Sequence, residues 1–281
     1  MRDAKFFISV IGMLFFGILL LFLYNKSISF EEEETLKKHI DSLLATLDNK
    51  IDETKKVALT SSVILAKNPY VIECLAKNDR NFCVDYLLEV KNAISAVNIF
   101  ENMRIHLHTS DFSSFVRLWD YHNTNNDNLS SFRHAFEKIK KTKQAMTGIE
   151  IGRHGMFIRA IAPVLDKGAY VGSLETVVDF KSLNEYFKKD GIDFYVLMKN
   201  EYKNISNAIV FPPNLSLDNY TIVNQNINGL NFIKEVNFQG TGYLKRGDYY
   251  VLHTPIMDIN GENIGFFVLC WVENLSLSSF K

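Results

Sequence analysis

The run at residues 6–24, FFISVIGMLFFGILLLFLY, carries no charged side chain. As an α-helix it extends over about 30 Å, the thickness of the hydrocarbon core of a bilayer. Such a segment fits a membrane anchor or a cleaved signal peptide, and two features favour the anchor. The apolar run is long for a signal peptide, and the following YNKSISF has no small-residue cleavage pattern. Arg2 and Lys5 precede the run, so residues 1–5 are expected on the cytoplasmic side and the rest of the chain across the membrane. Tyr24 stands at the outer edge, where an amphipathic ring is favoured. No second run of this length follows, and the stretch 264–272 is too short to span.

The part beyond the membrane opens with a helix signal. Ser29 precedes Phe30 and the acidic run 31–34, which suits the positive end of a helix dipole. Leu36, Ile40, Leu43, Leu44, Leu47 and Ile51 recur mostly three and four apart, giving one apolar stripe. Neither Pro nor Gly interrupts the chain from Phe30 to Pro69, so a long helix is expected over 25–65. Its stripe is expected to pair with a second copy in a parallel homodimer, or in part to pack on the domain that follows.

Residues 71–94 read as one or two shorter helices. From Arg104 the period changes to two: 104–109 and 115–119 read as paired strands around a Ser110-Asp111 turn. A polar loop, NTNNDN, and a basic helix at 132–143 come next. Strands are expected at 148–151, 156–164 and 169–178, separated by GRHG and DKG turns. A helix at 181–189, a strand at 193–198, a polar stretch at 200–231 and strands at 232–238, 249–255 and 263–272 complete the chain. This is an α+β pattern built on antiparallel meanders. The segments IRAIAPVLDKGAYVGSLETVVDF and YVLHTPIMDINGENIGFFVLCWVEN share one order: a strand ending in Pro, an acidic-glycine turn, and a strand opening near Gly. Two copies of one module are therefore expected, at 66–180 and 181–275, with 276–281 as a short end.

Charge and motifs exclude several classes. Lys and Arg total 31 against 32 Asp and Glu, which leaves no long-range field to draw nucleic acid. No P-loop, nucleophile elbow, HExxH or kinase signature is present, so neither an enzyme nor a cofactor is expected. Cys74, Cys83 and Cys270 contain no CxxC pair. Cys74 and Cys83 are close enough to bridge in an oxidising compartment, but two free, half-buried thiols are the favoured reading.

Several residues stand out chemically. Arg117 and Trp119 lie two apart, so on one strand they share a face. A guanidinium there holds a carboxylate while the indole covers its apolar part; the alternatives are an exposed Arg stacked on a surface Trp, or an Arg that only pairs with a neighbouring acid. His106 and His108 also share a face. The pair is compatible with zinc only if a third ligand joins it, with His122, His134 and His154 available in principle, and pocket lining or buried hydrogen bonding is favoured over metal. Arg133, Glu150, Arg159 and Glu175 are charges among apolar residues, which line a pocket or pair with each other. Gly148, Gly152 and Gly155 read as hairpin residues rather than as a phosphate loop.

The segments RIHLHTSDFSSFVRLWDYH, DNLSSFRHAF, TGIEIGRHGMFIRAIAPV and YVGSLETVVDF resemble double Cache sensor domains, the extracytoplasmic ligand-binding regions of bacterial chemoreceptors, sensor kinases and cyclic-di-GMP enzymes. The resemblance covers about residues 30–274. It implies a membrane-rooted helix and two PAS-like modules, the first distal from the membrane and holding the ligand in many members. The R-x-W pattern is similar to the carboxylate-binding element of amino-acid-sensing members. The resemblance thus implies a small-molecule ligand of carboxylate or amino-acid type, a homodimer, and a single-pass protein of the bacterial inner membrane with its bulk in the periplasm. Members usually continue into a second membrane helix and an output domain. This chain ends at SLSSFK, so the expectation is a truncated receptor, a split gene product, or an anchored binding protein that works with a separate signalling protein. A membrane-anchored partner-binding protein and a metal-dependent hydrolase on the His pair are the alternatives.

Overall fold

The computed structural model describes residues 2–95, 103–123, 127–130, 135–208, 215–224, 230–234 and 236–272, with the backbone alone at 2–12, 94–95 and 230–231. The chain divides into two compact units, residues 1–50 and 51–281. One helix, α1 (Arg2–Ala66), starts in the first and ends in the second. In the first unit, Met13 to Leu23 expose their apolar side chains. Among the described residues, α1 is the one helix long and apolar enough to cross a membrane. Ile40, Leu43 and Leu47, at the centre of the expected dimer stripe, are already buried within the single chain.

In the second unit α1 ends where Asn68 and Pro69 reset the backbone. The Asn68 side chain accepts a hydrogen bond from the Tyr70 N–H, and Pro69 takes the first position of α2 (Pro69–Ala76). α3 (Arg80–Ser95) follows. Cys74 and Cys83 form a disulfide between these helices, with Cα atoms 5.4 Å apart. The favoured reading of free thiols is thereby corrected. A nine-residue separation could not reveal that the turn between the helices brings the two Cβ atoms face to face.

Two five-stranded antiparallel sheets follow. The first contains β1 (Met103–Thr109), β2 (Ser114–Arg117), β3 (Met146–Gly152), β4 (Gly155–Asp166) and β5 (Ala169–Val178), in the order β2-β1-β5-β4-β3. Helix α4 (Ala135–Thr142) lies between β2 and β3 in the chain, and α5 (Lys181–Lys189) leads into the second sheet. That sheet contains β6 (Asp193–Lys199), β7 (Tyr220–Ile222), β8 (Gly242–Arg246), β9 (Tyr249–Met257) and β10 (Asn263–Val272), in the order β7-β6-β10-β9-β8. The two orders are the same when read from the first strand of each copy, so the expected duplication is present in the topology. One glycine in each copy shows it atom by atom. A Cβ at Gly172 would collide with the His108 carbonyl oxygen, and one at Gly265 with that of Leu197, the residue at the matching place on β6.

The first sheet has two unlike faces because its strands alternate. Ile105, Leu107, Ala162 and Leu174 join Leu65, Val71, Cys74 and Leu87 in the core beneath the helices. The Ser62 hydroxyl of α1 ties this face further, donating to the Ala160 carbonyl and meeting the Thr176 hydroxyl at 2.9 Å. The opposite face carries His106, His108, Arg159 and Glu175. It is partly covered by Phe136 and Ile139 of α4, which pack with Leu129 and Ile161.

Two expectations fail in the second copy. Residues 232–238 contain no strand among those described; a short helix, α6 (Leu230–Ile233), lies there instead. Phe232 and Phe238 pack on the second core from outside the ladder, so their apolar character reports burial and not pairing. β7 lies inside the polar stretch and β8 is mostly exposed, so neither shows the buried alternation by which a strand is recognised.

Candidate functional site

The polar face of the first sheet carries a cavity lined by Arg104 and His106 of β1, Arg117 of β2, Phe157 and Arg159 of β4, and Trp119. Arg153 and His154, the two residues of the β3–β4 turn, complete the wall. Strand register explains most of this. His106 pairs with Arg117 on one side and Glu175 on the other, and Arg104 pairs with Val177, which pairs with Arg159. Directly paired residues project to one face, so β2, β1 and β4, with β5 between the last two, deliver guanidinium and imidazole groups to one spot. Arg80 of α3 fixes the near edge. Its Nε donates to the Phe115 carbonyl at 3.0 Å and its Nη2 donates to the Tyr121 carbonyl, on either side of Arg117 and Trp119. As the structure stands, the cavity measures ≈ 30 Å³, room for about one water. A larger hollow of ≈ 300 Å³ near Val63, Ile72 and Pro163 is mainly apolar and gathers no comparable polar set.

Three of the four arginines have acid partners. Arg117 Nη2 lies 2.7 and 2.8 Å from the two carboxylate oxygens of Asp127, and Arg153 donates to the same carboxylate. Burial works to raise the Asp127 pKa, but the hydrogen bond and charge of Arg117, with the charge of Arg153, outweigh it and hold the group below the usual carboxylate range. Arg159 Nη1 donates to Glu175 Oε1 at 3.0 Å. Arg104 has no acid partner among the described residues; its guanidinium lies over the rings of Trp119 and Phe157, at 5.9 and 5.3 Å. His154 is pushed below the ordinary imidazole value, first by burial and then by the charges of Arg117, Arg104 and Arg159.

Behind the cavity wall lies a fully buried cluster. His106 Nδ1 and His108 Nε2 are 3.0 Å apart, and Glu175 Oε2 lies 3.4 and 3.7 Å from them. The outer ring nitrogens are held by hydroxyls: His106 Nε2 by Ser114 at 2.8 Å and His108 Nδ1 by Ser173 at 3.1 Å. An irregularity in the β1–β2 register between Leu107 and His108 sets His108 opposite Ser114 and not Phe115.

The second copy shows what the fold itself demands. The β6 and β10 positions matching His106, His108, Glu175 and Ser173 hold Tyr195, Leu197, Val268 and Phe266. Following Pro255 back along β9 as Pro163 along β4, Arg159 corresponds to Val251. All five belong to an apolar core. The module folds without the polar set, so the set in the first copy is not a requirement of the architecture.

Of the residues singled out from the sequence, His106, Arg117, Trp119 and Arg159 line the cavity, and His108 and Glu175 lie directly behind it. Trp119 stands in the turn after β2, so it reaches the cavity without sharing a strand with Arg117. Glu150 is buried opposite Phe157 on the same sheet face but is not in the cavity wall. Arg133 lies outside the described residues. Arg104, Asp127, Arg153 and Phe157 were missed. Extending the period-two pattern by one step from His106 and from Arg159 finds Arg104 and Phe157. Asp127 and Arg153 sit in a loop and a turn, where no periodicity points to them.

Comparison with known proteins identifies the family of the chain. Residues 33–270 match the dCache_3 family, described as the double sensory domain of two-component sensor kinase. No curated protein matches the chain. Solved structures similar to it include the domain of a sensory box/GGDEF family protein from Vibrio parahaemolyticus, at 14% identity and TM-score 0.48, covering 86% of this chain and 98% of that one. The sensor domain of the V. cholerae histidine kinase DctB is 13% identical, with TM-score 0.43 and coverage of 85% and 95%. The ligand-binding domain of the Campylobacter jejuni chemoreceptor Tlp3, in complex with L-valine, is also 13% identical, with TM-score 0.42 and coverage of 86% and 94%. With a match that spans both sheets and most of the chain, this protein belongs to the double Cache sensory domain family.

Proposed function

We propose that this chain senses a small anionic molecule outside the cytoplasm, and that the cavity of the first sheet is where it binds. The observation that carries this reading is the convergence of Arg104, Arg117, Arg153 and Arg159 on one cavity, at a face whose counterpart in the second copy is apolar. Four guanidinium groups gathered at one cavity, one of them buried and the others partly so, call for an anion. Asp127 occupies two of them, and a ligand carboxylate or phosphate exchanging with it gains the same charge-assisted hydrogen bonds. Trp119 and Phe157 cover the apolar part of such a ligand. With only ≈ 30 Å³ available, binding requires the wall to open, and departure of the Asp127 side chain provides that movement.

The rest of the reading follows from the anchor. α1 roots the chain in the membrane with Arg2 and Lys5 inside, the first copy (66–180) is distal, and the second (181–275) is proximal. The Cys74–Cys83 disulfide supports an oxidising, extracytoplasmic location. Movement at the cavity is read through the second copy, which grips the β3–β4 turn: the Ala208 N–H donates to the Arg153 carbonyl, and the Ser206 hydroxyl to that of Gly152. The test is a thermal-shift and calorimetric screen of the detergent-solubilised chain against carboxylates, amino acids and phosphate esters, repeated with Arg104→Ala. Saturable binding lowered at least ~10-fold by the substitution supports the site, that being roughly 1.4 kcal/mol or more for one charge-assisted contact. Binding that ignores Arg104→Ala and Arg117→Ala, or none at all, removes it.

A further inference from the structure

We infer that His106, His108 and Glu175 form a binding site for a divalent transition metal of the zinc class, a site separate from the anion contacts of the cavity. Three donor atoms define it: His106 Nδ1, His108 Nε2 and Glu175 Oε2, separated by 3.0, 3.4 and 3.7 Å. A circle through three points so spaced has a radius of about 2.0 Å, close to the usual zinc–nitrogen and zinc–oxygen distances. A metal a fraction of an ångström above that plane bonds all three in the geometry of a tetrahedral base. Two nitrogens and one carboxylate oxygen suit zinc, cobalt, nickel or copper; magnesium and calcium favour oxygen donors in six-fold or higher number.

The surroundings are those of a metal site. Each imidazole turns its outer nitrogen to a serine hydroxyl, Ser114 or Ser173, which fixes the ring plane and leaves the inner nitrogen beside the other ring and the Glu175 carboxylate. Glu175 gives its other oxygen, Oε1, to Arg159, which orients the carboxylate. All three ligands are buried, and the rings of Trp119 and Phe136 pack against His106 and His108. The matching positions in the second copy, Tyr195, Leu197 and Val268, offer neither imidazole nor carboxylate, so the triad is not a by-product of the module. His106 also lines the cavity and gives the ion a way in. The hydrogen bond between the inner nitrogens holds one proton. When a metal takes both inner nitrogens, that proton moves to the outer nitrogen of its own ring, where the serine hydroxyl accepts it, so both imidazoles ligate as neutral rings. Three ligands leave a fourth position for water or an anion, but the inference does not depend on the identity of any cavity ligand.

The experiment uses the full chain in detergent, stripped with a chelator, and the metal ions alone. Zinc titration is expected to give one site per chain, with a rise in melting temperature that magnesium and calcium do not produce. Cobalt is expected to give the intense visible absorption of a four-coordinate ion. His108→Gln and Glu175→Gln are expected to lower zinc affinity ~100-fold or more, while His122→Ala, at an exposed position, leaves it unchanged. Lack of saturable zinc binding by the unaltered protein overturns the inference, and so does binding that survives both ligand substitutions. If those variants do not fold, the unaltered protein decides. A weak six-coordinate cobalt spectrum with no zinc-dependent shift in melting temperature overturns the site.

Discussion

The buried Arg159–Glu175 pair allows a direct test of the argument from duplication. Glu175 is fully buried and Arg159 nearly so, with side chains 0% and 8% exposed and 3.0 Å apart. Glu175→Gln removes one charge and leaves the other in the interior, a change worth about 3–5 kcal/mol in comparable pairs. Arg159 has relief at hand, since it borders the cavity and lies 5.5 Å from the Phe157 ring centroid, so the lower end is expected. In a domain of this size about 3 kcal/mol corresponds to a fall of roughly 6–12 °C in melting temperature. Replacing both members by apolar residues of similar volume, Arg159→Met with Glu175→Leu, imitates the second copy, where Val251 and Val268 stand. That double variant is expected to regain most of the loss and melt within about 1 kcal/mol of the original protein, because no unpaired charge remains. It is also expected to lose anion and zinc binding. The assay is thermal unfolding followed by circular dichroism on Glu175→Gln and on Arg159→Met, Glu175→Leu and their double variant, the last three read as a double-mutant cycle. If the double variant is as unstable as Glu175→Gln, the ion pair supports the fold itself, and the comparison between copies misleads.

Four further outcomes are expected. His154 sits below the ordinary imidazole value because of burial and the nearby arginines, so it is neutral in the free protein near pH 7. An anion that offsets those charges raises its pKa, binding takes up a proton, and affinity rises as pH falls below about 6.5, by at most ~10-fold per pH unit; calorimetry in buffers of different ionisation enthalpy measures the uptake, and His154→Gln should abolish it. The same depression makes folding stability rise with pH up to about 6.5, since the unfolded chain binds the proton more readily there than the folded one does. Cys83→Ser opens a loop of nine residues' separation and should cost about 2–3 kcal/mol, seen as a lower denaturant midpoint that reducing agent reproduces in the original protein. A phosphatase joined after residue 281 should be active, and inactivity there would reverse the proposed orientation.

How far the sequence was legible depended on whether periodicity and burial coincide. β5, α5 and β10 were read to the residue because their apolar alternation or helical stripe is the part that is buried. β8 escaped because GYLKR is mostly exposed and pairs on one side only, and Phe232 misled because an aromatic packs on a core from a helix as well as from a strand. The same division holds in the site. His106, His108, Arg159 and Glu175 stand out as polar residues in buried strands, where every second position should be apolar. That His106 and His108 meet Glu175 rather than one of the other histidines depends on which strand lies beside β1. In the first copy that neighbour is β5, far along the chain. Asp127 is one polar residue in a run of them, and only the folded loop brings it to Arg117.

The β3–β4 turn gives the two copies different tasks within one architecture. In the first copy the two turn residues, Arg153 and His154, reach into the cavity, and Gly155 closes the turn at a φ of 106°, which a side chain would oppose. Backbone and side-chain groups from the second copy hold the same turn at Gly152 and Arg153, and Ile149 of β3 bridges to Asp258 beyond β9. On the reading proposed above, an anion that takes Asp127's place withdraws a charge-assisted contact from Arg153 and offers another at a slightly different position. The arginine cannot follow without moving a turn whose carbonyls are already engaged. A displacement that would otherwise end in a flexible side chain is thus delivered to the backbone of the second copy. That copy's core is apolar where the first is polar, so it has no rearranging charges of its own to absorb the movement.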